Sequence, residues 1–283
     1  MSTQKTWIIT GASKGIGFEL ANLLLNNGHN VIATSRSIKN LNEAFNIFQE
    51  GLLPLEVDLQ SEESIATAVA KGIEHFGQID FLVNNAGYGL LGGIEESSKK
   101  EVQENFDVNV FGLLSITRAV LPYMRKAGSG HIFNISSVFG LIAGAGWGIY
   151  CATKFAVEGL SEALQQEVQP FGIKVTIIEP GYFRTNFLDS GSLITTQKAI
   201  ADYTDIVEIK RKHVEDITGS QPGDPKKAAE VILNIAGLNN PPLRLLIGSD
   251  ALQYAEYKIG NLQSEIALYR ETTLSTDYVQ ANA

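Results

Sequence analysis

A tyrosine and a lysine that could exchange protons stand four residues apart, Tyr150 and Lys154, in the stretch GIYCATK. Residues at this spacing share one face of an α-helix, so the phenol and the ammonium group would lie together. Free tyrosine has a pKa of about 10 and is a poor base at neutral pH. An ammonium ~4 Å away, at an effective dielectric of about 20, contributes about 4 kcal/mol and would lower that pKa by ~3 units. Tyr150 could then take a proton from an alcohol, whereas giving a proton to a carbonyl requires only the neutral phenol.

A serine strengthens this pair, which by itself could occur by chance in a helix. Ser137 lies thirteen residues before Tyr150 (150 − 137) and follows the apolar run His131–Ile135, which predicts a strand. Open α/β sheets place their chemistry at the carboxyl ends of strands, although Ser136 and Ser137 would alternatively cap a loop. Cys151 points about 100° away from Tyr150 on a helix, so we interpret it as a small packing residue.

A glycine-rich turn, TGASKGIG, follows the first predicted strand and opens the first predicted helix. Gly11, Gly15 and Gly17 would allow a tight turn, close approach of a pyrophosphate, and free N–H groups aimed at it. The strand before the motif and the helix after it are the context that a dinucleotide site requires. The alternative is a tight strand-to-helix loop that binds nothing.

The residues that would read the adenosine ribose favour NADP(H) over NAD(H). About twenty residues past the glycines, a NAD site usually carries an acid that binds the ribose 2′-hydroxyl. This chain has Thr34-Ser35-Arg36 there, and Lys14 adds a second cation nearby. An arginine can direct two donors at a 2′-phosphate. The alternative is that Arg36 is a solvated residue at the end of a strand.

Short apolar runs alternate with longer amphipathic stretches, which predicts an α/β fold: a doubly wound, Rossmann-type parallel sheet with helices on both faces. The predicted strands are Thr6–Thr10, Asn30–Thr34, Leu52–Val57, Phe81–Asn84, His131–Ile135, Lys174–Glu179 and Leu243–Ile247. The clearest predicted helices are Phe18–Asn27, Glu62–Phe76, Lys100–Tyr123, Ala152–Glu167 and Lys226–Ala236.

No change of composition and no internal repeat divides the chain, so residues 1–283 are predicted to form a single domain. The segment 186–221 interrupts the strand–helix rhythm, and we interpret it as a helical substrate-loop insertion after the sixth predicted strand. That position lies at the edge of the sheet where ligands bind. Residues 271–283 are predicted to form a weakly specified tail.

The composition excludes several classes of function. The chain has 283 residues, 44% of them hydrophobic and 19% charged, and its net charge of −9 argues against a nucleic-acid partner. The single cysteine favours a reducing, cytoplasmic location. No apolar run approaches the about 18 residues of a membrane span, and no secretion signal is found. The four histidines match no metal motif, so we expect no metal site.

Taken together and in this order, the motifs resemble those of the classical short-chain dehydrogenase/reductase family, from about Thr6 to Leu246. The segment from Pro180 to Phe187 and the long C-terminal part are more loosely similar to the hydroxysteroid and retinol dehydrogenase-like branch. The motifs that carry the resemblance are Thr10-Gly-x-x-x-Gly15-x-Gly17, Asp58, Asn84-Asn85-Ala86-Gly87, Asn109, Ser137, Tyr150-x-x-x-Lys154 and Pro180-Gly181.

The resemblance implies a role for each site residue. Tyr150 would be the acid/base, Ser137 would hold the substrate oxygen, Lys154 would bind the nicotinamide ribose and lower the pKa of Tyr150, and Asn109 would support a water relay. Asp58 would contact adenine and Thr185 the nicotinamide carboxamide. The full predicted cofactor set is Gly11, Ser13, Lys14, Gly15, Ile16, Gly17, Arg36, Asp58, Leu59, Asn85, Ala86, Gly87, Tyr150, Lys154, Pro180, Gly181 and Thr185.

The expected function is therefore an NADP(H)-dependent oxidoreductase, a reductase of a mainly apolar small molecule. The resemblance also implies a homo-oligomer, a dimer or tetramer, assembled through Lys100–Tyr123 and Ala152–Glu167. A non-catalytic dinucleotide sensor or scaffold is one alternative, and a nucleotide-sugar epimerase, which usually has a longer C-terminal domain, is another. Candidates to line the substrate cleft are Phe139, Ile142, Trp147, Phe183, Phe187 and Leu188.

Overall fold

The computed structural model describes residues 4–45, 49–185, 187, 192–216 and 219–278. Nine strands are found in this part of the chain, and all of their pairings are parallel. They are β1 (Thr6–Thr10), β2 (Asn30–Ser35), β3 (Leu52–Glu56), β4 (Phe81–Asn84), β5 (Gly89–Leu91), β6 (Gly130–Ile135), β7 (Ile173–Pro180), β8 (Leu193–Thr195) and β9 (Arg244–Ile247).

Seven of the strands form one parallel sheet in the order β3-β2-β1-β4-β6-β7-β9, while β5 pairs only with β8. All seven predicted strands belong to the large sheet, and their ends differ from the prediction by at most one residue. The order reverses between β1 and β4, and crevices at such reversals are where open α/β sheets bind ligands. The predicted doubly wound, Rossmann-type fold is confirmed.

Helices cover both faces of the sheet. They are α1 (Gly15–Asn26), α2 (Ile38–Ala44), α3 (Glu62–Phe76), α4 (Lys99–Phe106), α5 (Leu113–Ala127), α6 (Gly148–Val168), α7 (Thr204–Arg211), α8 (Pro225–Ala236), α9 (Ser249–Leu268) and α10 (Arg270–Leu274).

Alternate residues of the strands pack against opposite helical layers, because successive side chains of a strand point to opposite faces. Ile9 of β1 packs in a cluster with Leu24 of α1 and Ile232 of α8. Its neighbour Ile8 packs in a second cluster with Ile65 of α3 and other apolar side chains. Ile8 and Ile9 are fully buried, so the sheet has a hydrophobic core on each face.

The long predicted helix Lys100–Tyr123 is divided in the structure. It comprises α4, a π-helical segment at Asp107–Gly112, and α5. A π segment widens the helical turn and is frequent at functional sites. The apolar period of the sequence does not reveal this change, because an amphipathic pattern continues through the π segment.

The segment 186–221, predicted as a substrate-loop insertion, contains β8, α7 and a π-helical segment at Lys212–Asp216. It follows β7, the sixth strand of the large sheet in chain order. Sequence reasoning did not predict β8 or its partner β5, because strands of three residues are too short for a clear periodicity. Residues 186, 188–191 and 217–218 lie outside the described residues.

The C-terminal part continues in α9, which the prediction did not include, and then in α10. Helix α10 occupies Arg270–Leu274 and so overlaps the segment 271–283 that was expected to be weakly specified. Residues 279–283 lie outside the described residues. Among the helices described, none is long and apolar enough to cross a membrane.

Candidate functional site

A cavity of about 750 Å³ lies at the carboxyl edge of the sheet and brings most of the predicted site residues together. The predicted residues that line it are Gly11, Ser13, Lys14, Gly15, Ile16, Arg36, Asp58, Leu59, Asn85, Ala86, Gly87, Ser137, Phe139, Trp147, Tyr150, Lys154, Pro180, Gly181, Phe183, Thr185 and Phe187. Gly17, Asn109 and Ile142 do not line it. The candidate substrate residue Leu188 lies outside the described residues.

The glycine-rich turn has the backbone conformation that its composition predicts. Gly11 and Gly15 have φ angles of 65° and 61°, in the left-handed region that glycine adopts without strain. Lys14 is the N-cap of α1, and no side chain caps the N–H groups of the first helical turn. An uncapped helix start beside a cavity suits a phosphate group, because its N–H groups and the helix dipole both favour an anion.

Gly17 lies behind the turn, where it makes room for Asn85. A Cβ atom at Gly17 would stand 2.5 Å from Asn85 Nδ2 and 2.9 Å from the Gly11 carbonyl oxygen. Asn85 Nδ2 donates hydrogen bonds to the carbonyl oxygens of Thr10 and Gly11, at 2.9 and 3.1 Å. Asn85 thereby joins the end of β4 to the turn after β1, and Gly17 permits this contact.

The substitution Gly17→Ala is therefore expected to displace Asn85 and to destabilise the protein by about 1–3 kcal/mol, with weaker nucleotide binding. The matched control is Gly260→Ala in α9, where a Cβ would meet no atom within 4 Å. Removing a glycine from a helix interior should there raise stability, by up to about 1 kcal/mol. Chemical denaturation of the two variants tests this, and equal stability changes would contradict the packing argument.

The end of the cavity near β2 carries exposed positive charge. Arg36 follows β2, Lys14 lies in the glycine turn, and both side chains are exposed. Neither makes an ion pair or a side-chain hydrogen bond with a described residue. Asp58 is the one acid among the described lining residues, and its carboxylate accepts a hydrogen bond from the Gln60 N–H. The two cations are thus available to an anionic ligand.

Tyr150, Lys154 and Ser137 meet between β6 and the first turns of α6. Tyr150 and Lys154 are 5% and 6% exposed, with Lys154 Nζ 5.7 Å from the Tyr150 ring centre. Lys154 Nζ donates a 2.8 Å hydrogen bond to the Ile135 carbonyl at the end of β6. The Ser137 hydroxyl accepts from the Phe139 N–H at 3.1 Å, and Ser137 and Tyr150 both line the cavity. The arrangement sets a phenol beside a hydroxyl and above an ammonium group.

Burial governs the protonation of this group, a contribution that the expected effect of Lys154 on the pKa of Tyr150 left out. Loss of solvent raises the pKa of Tyr150 above its ordinary value, and the Ser137 side chain opposes this only in part. Burial also lowers the pKa of Lys154 to about 8, against the attraction of Glu158. The estimate from the sequence counted the charge of the lysine but not the cost of desolvating the phenolate. At neutral pH Tyr150 is a phenol that can donate a proton.

Asn109 lies behind the cavity wall, in the π segment between α4 and α5. Its Nδ2 donates to the Tyr88 carbonyl at 2.9 Å and to Thr153 Oγ1 at 3.1 Å, while its Oδ1 accepts from the Tyr88 N–H. A Cβ at Gly87 would stand 3.1 Å from Asn109 Oδ1 and 3.7 Å from Lys154 Nζ. Asn109 thus adjoins the wall next to Lys154 and ties it to α6.

Aromatic side chains form the remaining end of the cavity, which we call the substrate end. Phe139, Trp147 and Phe187 surround Tyr150, with ring centres 6.4, 5.6 and 5.8 Å from it. The candidate Ile142 is not among the lining residues, and its N–H donates to the Val138 carbonyl, which continues the short helical turn there. Sequence reasoning missed these further lining residues: Thr34, Ser35, Ser37, Asn40, Val57, Gln60, Tyr88, Val108, Ile135, Ser136, Val138, Tyr182, Ser192 and Gln221.

Some of the lining residues that were not predicted could have been identified from the sequence, and others could not. Tyr88 and Tyr182 directly follow the predicted residues Gly87 and Gly181, so proximity along the chain could have identified them. Gln221 lies far from every motif, and only the return of the chain after α7 brings it to the cavity. No group of three or more His, Cys, Asp or Glu side chains among the described residues could hold a metal ion.

Comparisons with known proteins agree with this geometry. The profile of the family described as short chain dehydrogenase matches residues 5–192. The chain is 37% identical to an oxidoreductase of Botryotinia fuckeliana over 273 residues, 96% of this chain and 99% of the relative. It is 40% identical to a 3-ketodihydrosphingosine reductase of Bacteroides thetaiotaomicron over 243 residues, 85% and 87% of the two chains.

The similarity extends to three-dimensional structure. A solved short-chain dehydrogenase from Streptomyces avermitilis has a TM-score of 0.90 and 37% sequence identity to this chain. The comparison covers 98% of this chain and 100% of that one. The shared architecture therefore extends well beyond the part that the family profile matches.

Proposed function

This chain belongs to the short-chain dehydrogenase family, an oxidoreductase family with a nicotinamide cofactor, and from that premise we propose that it is an NADP(H)-dependent carbonyl reductase. The observation that carries the proposal is the buried Tyr150, whose pKa burial raises, so that it stands as a neutral phenol in the cavity wall together with Ser137. A neutral phenol is already a proton donor, as carbonyl reduction requires. Alcohol oxidation would first require its ionisation against the cost of burial.

Each residue of the site would have its own role in carbonyl reduction. When bound, NADPH would supply the hydride, with its phosphates at the glycine turn. Tyr150 would donate its proton to the carbonyl oxygen, and Ser137 would hold that oxygen by a hydrogen bond. Lys154, held by the Ile135 carbonyl, would stabilise the phenolate left behind, and Asn109 would keep the adjacent wall in place. The roles of Lys154 and Asn109 use contacts made within the chain itself.

Arg36 and Lys14 support the choice of NADP(H), because both exposed cations face the end of the cavity that follows β2. We expect NADPH to bind at least about 10-fold more tightly than NADH, because hydrogen bonds to charged groups contribute about 1.5–3 kcal/mol. Arg36→Ala should weaken NADPH binding by about 10- to 100-fold and leave NADH binding nearly unchanged. Calorimetric dissociation constants for both nucleotides provide the measurement.

Arg270→Ala, in the exposed helix α10, is the matched control and should leave both dissociation constants unchanged. Tighter binding of NADH by the wild type would refute the cofactor assignment. Equal weakening of both nucleotides by Arg36→Ala would show that the side chain does not read the 2′-phosphate.

The lining supports a mainly apolar substrate, since Phe139, Trp147 and Phe187 form much of the substrate end. NADPH consumption with a panel of ketones, aldehydes and quinones tests the reductase activity. A non-catalytic sensor would bind NADPH without consuming it, and an epimerase would cause no net consumption. Tyr150 and Lys154 are both present, with Lys154 Nζ 5.7 Å from the Tyr150 ring centre, which favours catalysis over the sensor.

Two further features belong to the proposal. Cys151 is a buried free thiol, which suits a reducing compartment such as the cytoplasm.

Phe111 and Phe155, on the π segment and α6, are 49% and 45% exposed, which supports assembly into a dimer or tetramer through these elements.

A further inference from the structure

An amide in the lining of the cavity has no hydrogen-bonding partner among the described residues. Gln221 is 2% exposed and lines the cavity, yet neither its Oε1 nor its Nε2 makes a hydrogen bond to the described chain. Buried polar side chains are nearly always paired in native proteins, because an unpaired one keeps the cost of its desolvation. Such an amide beside a cavity indicates a partner that comes from outside the chain.

The backbone holds Gln221 in this position. Its carbonyl oxygen accepts hydrogen bonds from Nε and Nη2 of Arg184, at 3.3 and 3.2 Å. Two residues later, the Gly223 N–H donates to the Tyr182 carbonyl and the Gly223 carbonyl accepts from the Arg184 N–H. These bonds join the end of the insertion to the segment after β7, so the amide is presented by a fixed piece of chain.

A second unpaired donor lies in the same cavity. Trp147 is 3% exposed, lines the cavity, and its Nε1 has no partner among the described residues. Its ring is 5.6 Å from that of Tyr150, centre to centre, and 5.0 Å from that of His213. A ligand whose carbonyl reaches Tyr150 therefore passes close to this indole.

The charges around the cavity restrict what Gln221 can bind. Among the described lining residues the charged ones are Lys14, Arg36, Asp58 and Lys154. The first three stand at the nucleotide end, and Lys154 is committed to the Ile135 carbonyl. The nearby Arg184 is exposed, lies outside the lining, and directs its guanidinium at the Gln221 carbonyl. A carboxylate or an ammonium group buried against the Gln221 amide would therefore have no opposite charge within the lining, which is unfavourable. An amide offers one acceptor and one donor group, so a neutral partner that also does both fits it.

We propose that Gln221, with Trp147, binds a second, neutral polar group of the substrate, a hydroxyl or an amide, at a distance from the reacting carbonyl. The substrate is then a ketone or aldehyde with an apolar frame and one such group. This inference rests on the proposed reductase function and adds a specificity determinant to it.

The test uses aliphatic ketones of matched length that differ by one hydroxyl or one amide group, placed at several distances from the carbonyl. The wild type should reduce the best polar ketone at least about 10-fold more efficiently, in kcat/KM, than its apolar match, because a site built to hydrogen-bond a group rejects ligands without it. Gln221→Met, similar in size but without the amide, should lower that preference to within about twofold. The control Gln263→Met, on the exposed face of α9, should keep the wild-type preference.

A second measurement is independent of activity. If the amide of Gln221 is unpaired in the free protein, Gln221→Met should unfold at the same or a higher temperature than the wild type. A fall of several degrees would show that the amide bonds within the protein, and it would overturn the inference. Reduction of ketones with the same preference in wild type and Gln221→Met would overturn the inference alone. Failure of the wild type to reduce any carbonyl with NADPH would overturn the proposed function, and this inference with it.

Discussion

Replacement of Tyr150 by phenylalanine is expected to lower kcat for carbonyl reduction by about 10²- to 10⁴-fold, the usual contribution of a positioned proton donor. The change removes only the hydroxyl group, so the ring keeps its contacts with Trp147 and Phe187. The fold and the NADPH dissociation constant should therefore remain close to those of the wild type. Steady-state kinetics, calorimetry and circular dichroism measure the three quantities.

The matched control is Tyr257→Phe in α9, where the side chain is 63% exposed and is not among the residues that line the cavity. This variant should keep wild-type kinetics. Activity of Tyr150→Phe near the wild-type level would remove Tyr150 as the proton donor. Loss of NADPH binding together with activity would mean instead that the hydroxyl serves mainly to hold the nucleotide.

Lys210→Met is expected to produce the largest loss of stability, because it leaves a buried carboxylate without its cation. Glu96 has a fully buried side chain, and Lys210 Nζ donates to its Oε2 at 2.8 Å. The same carboxylate accepts from the N–H groups of Gly93 and Ile200, and so joins α7 and the residues just before it to the loop after β5. Removal of one partner of a buried pair costs about 3–5 kcal/mol. Urea denaturation and substrate KM should both show the effect.

The double variant Glu96→Gln with Lys210→Met distinguishes a lost charge pair from general damage. It should recover much of the stability lost in Lys210→Met, because no buried charge remains. Additive losses in the two single variants and the double variant would contradict this explanation.

The effect of pH gives an independent check on the same pair. The hydrogen bond from Lys210 is the main reason that the pKa of Glu96 falls from 4.5 to about 2. Because the folded-state pKa is depressed, the stabilisation is present above pH 4.5 and is lost as the pH falls towards 2. The difference in stability between wild type and Lys210→Met should therefore shrink over this range, and a constant difference would count against the ion pair.

The strands and the glycine turn could be predicted because their signals are local. Apolar runs such as Thr6–Thr10 predict strands that are buried on both faces of a sheet. The glycines predict a tight turn with backbone conformations that other residues rarely adopt. The structure agrees, with β1 at the predicted residues and Gly11 at a φ angle of 65°. Short elements such as β5 and β8 were missed, since they exist only because the two segments pair with each other.

The residues that surround the chemistry were harder to predict than the chemical groups themselves. Ile142 was expected in the cleft, but the helical turn that begins at Val138 carries the chain past it. Gln221 had no signal in the sequence, because its place depends on how the insertion folds back over the cavity.

The sequence by itself determined the fold class and the proton-donor group, since periodicity, spacing and motif order are properties of neighbouring residues. Only the tertiary structure decided the protonation of Tyr150, whose pKa burial raises although Lys154 lies one turn away. It also decided which polar groups remain unpaired in the cavity, as for Gln221 and Trp147. The pKa of Tyr150 and the pairing of these polar groups both depend on how completely distant parts of the chain exclude water from the cavity wall. A local pattern of residues does not determine that burial.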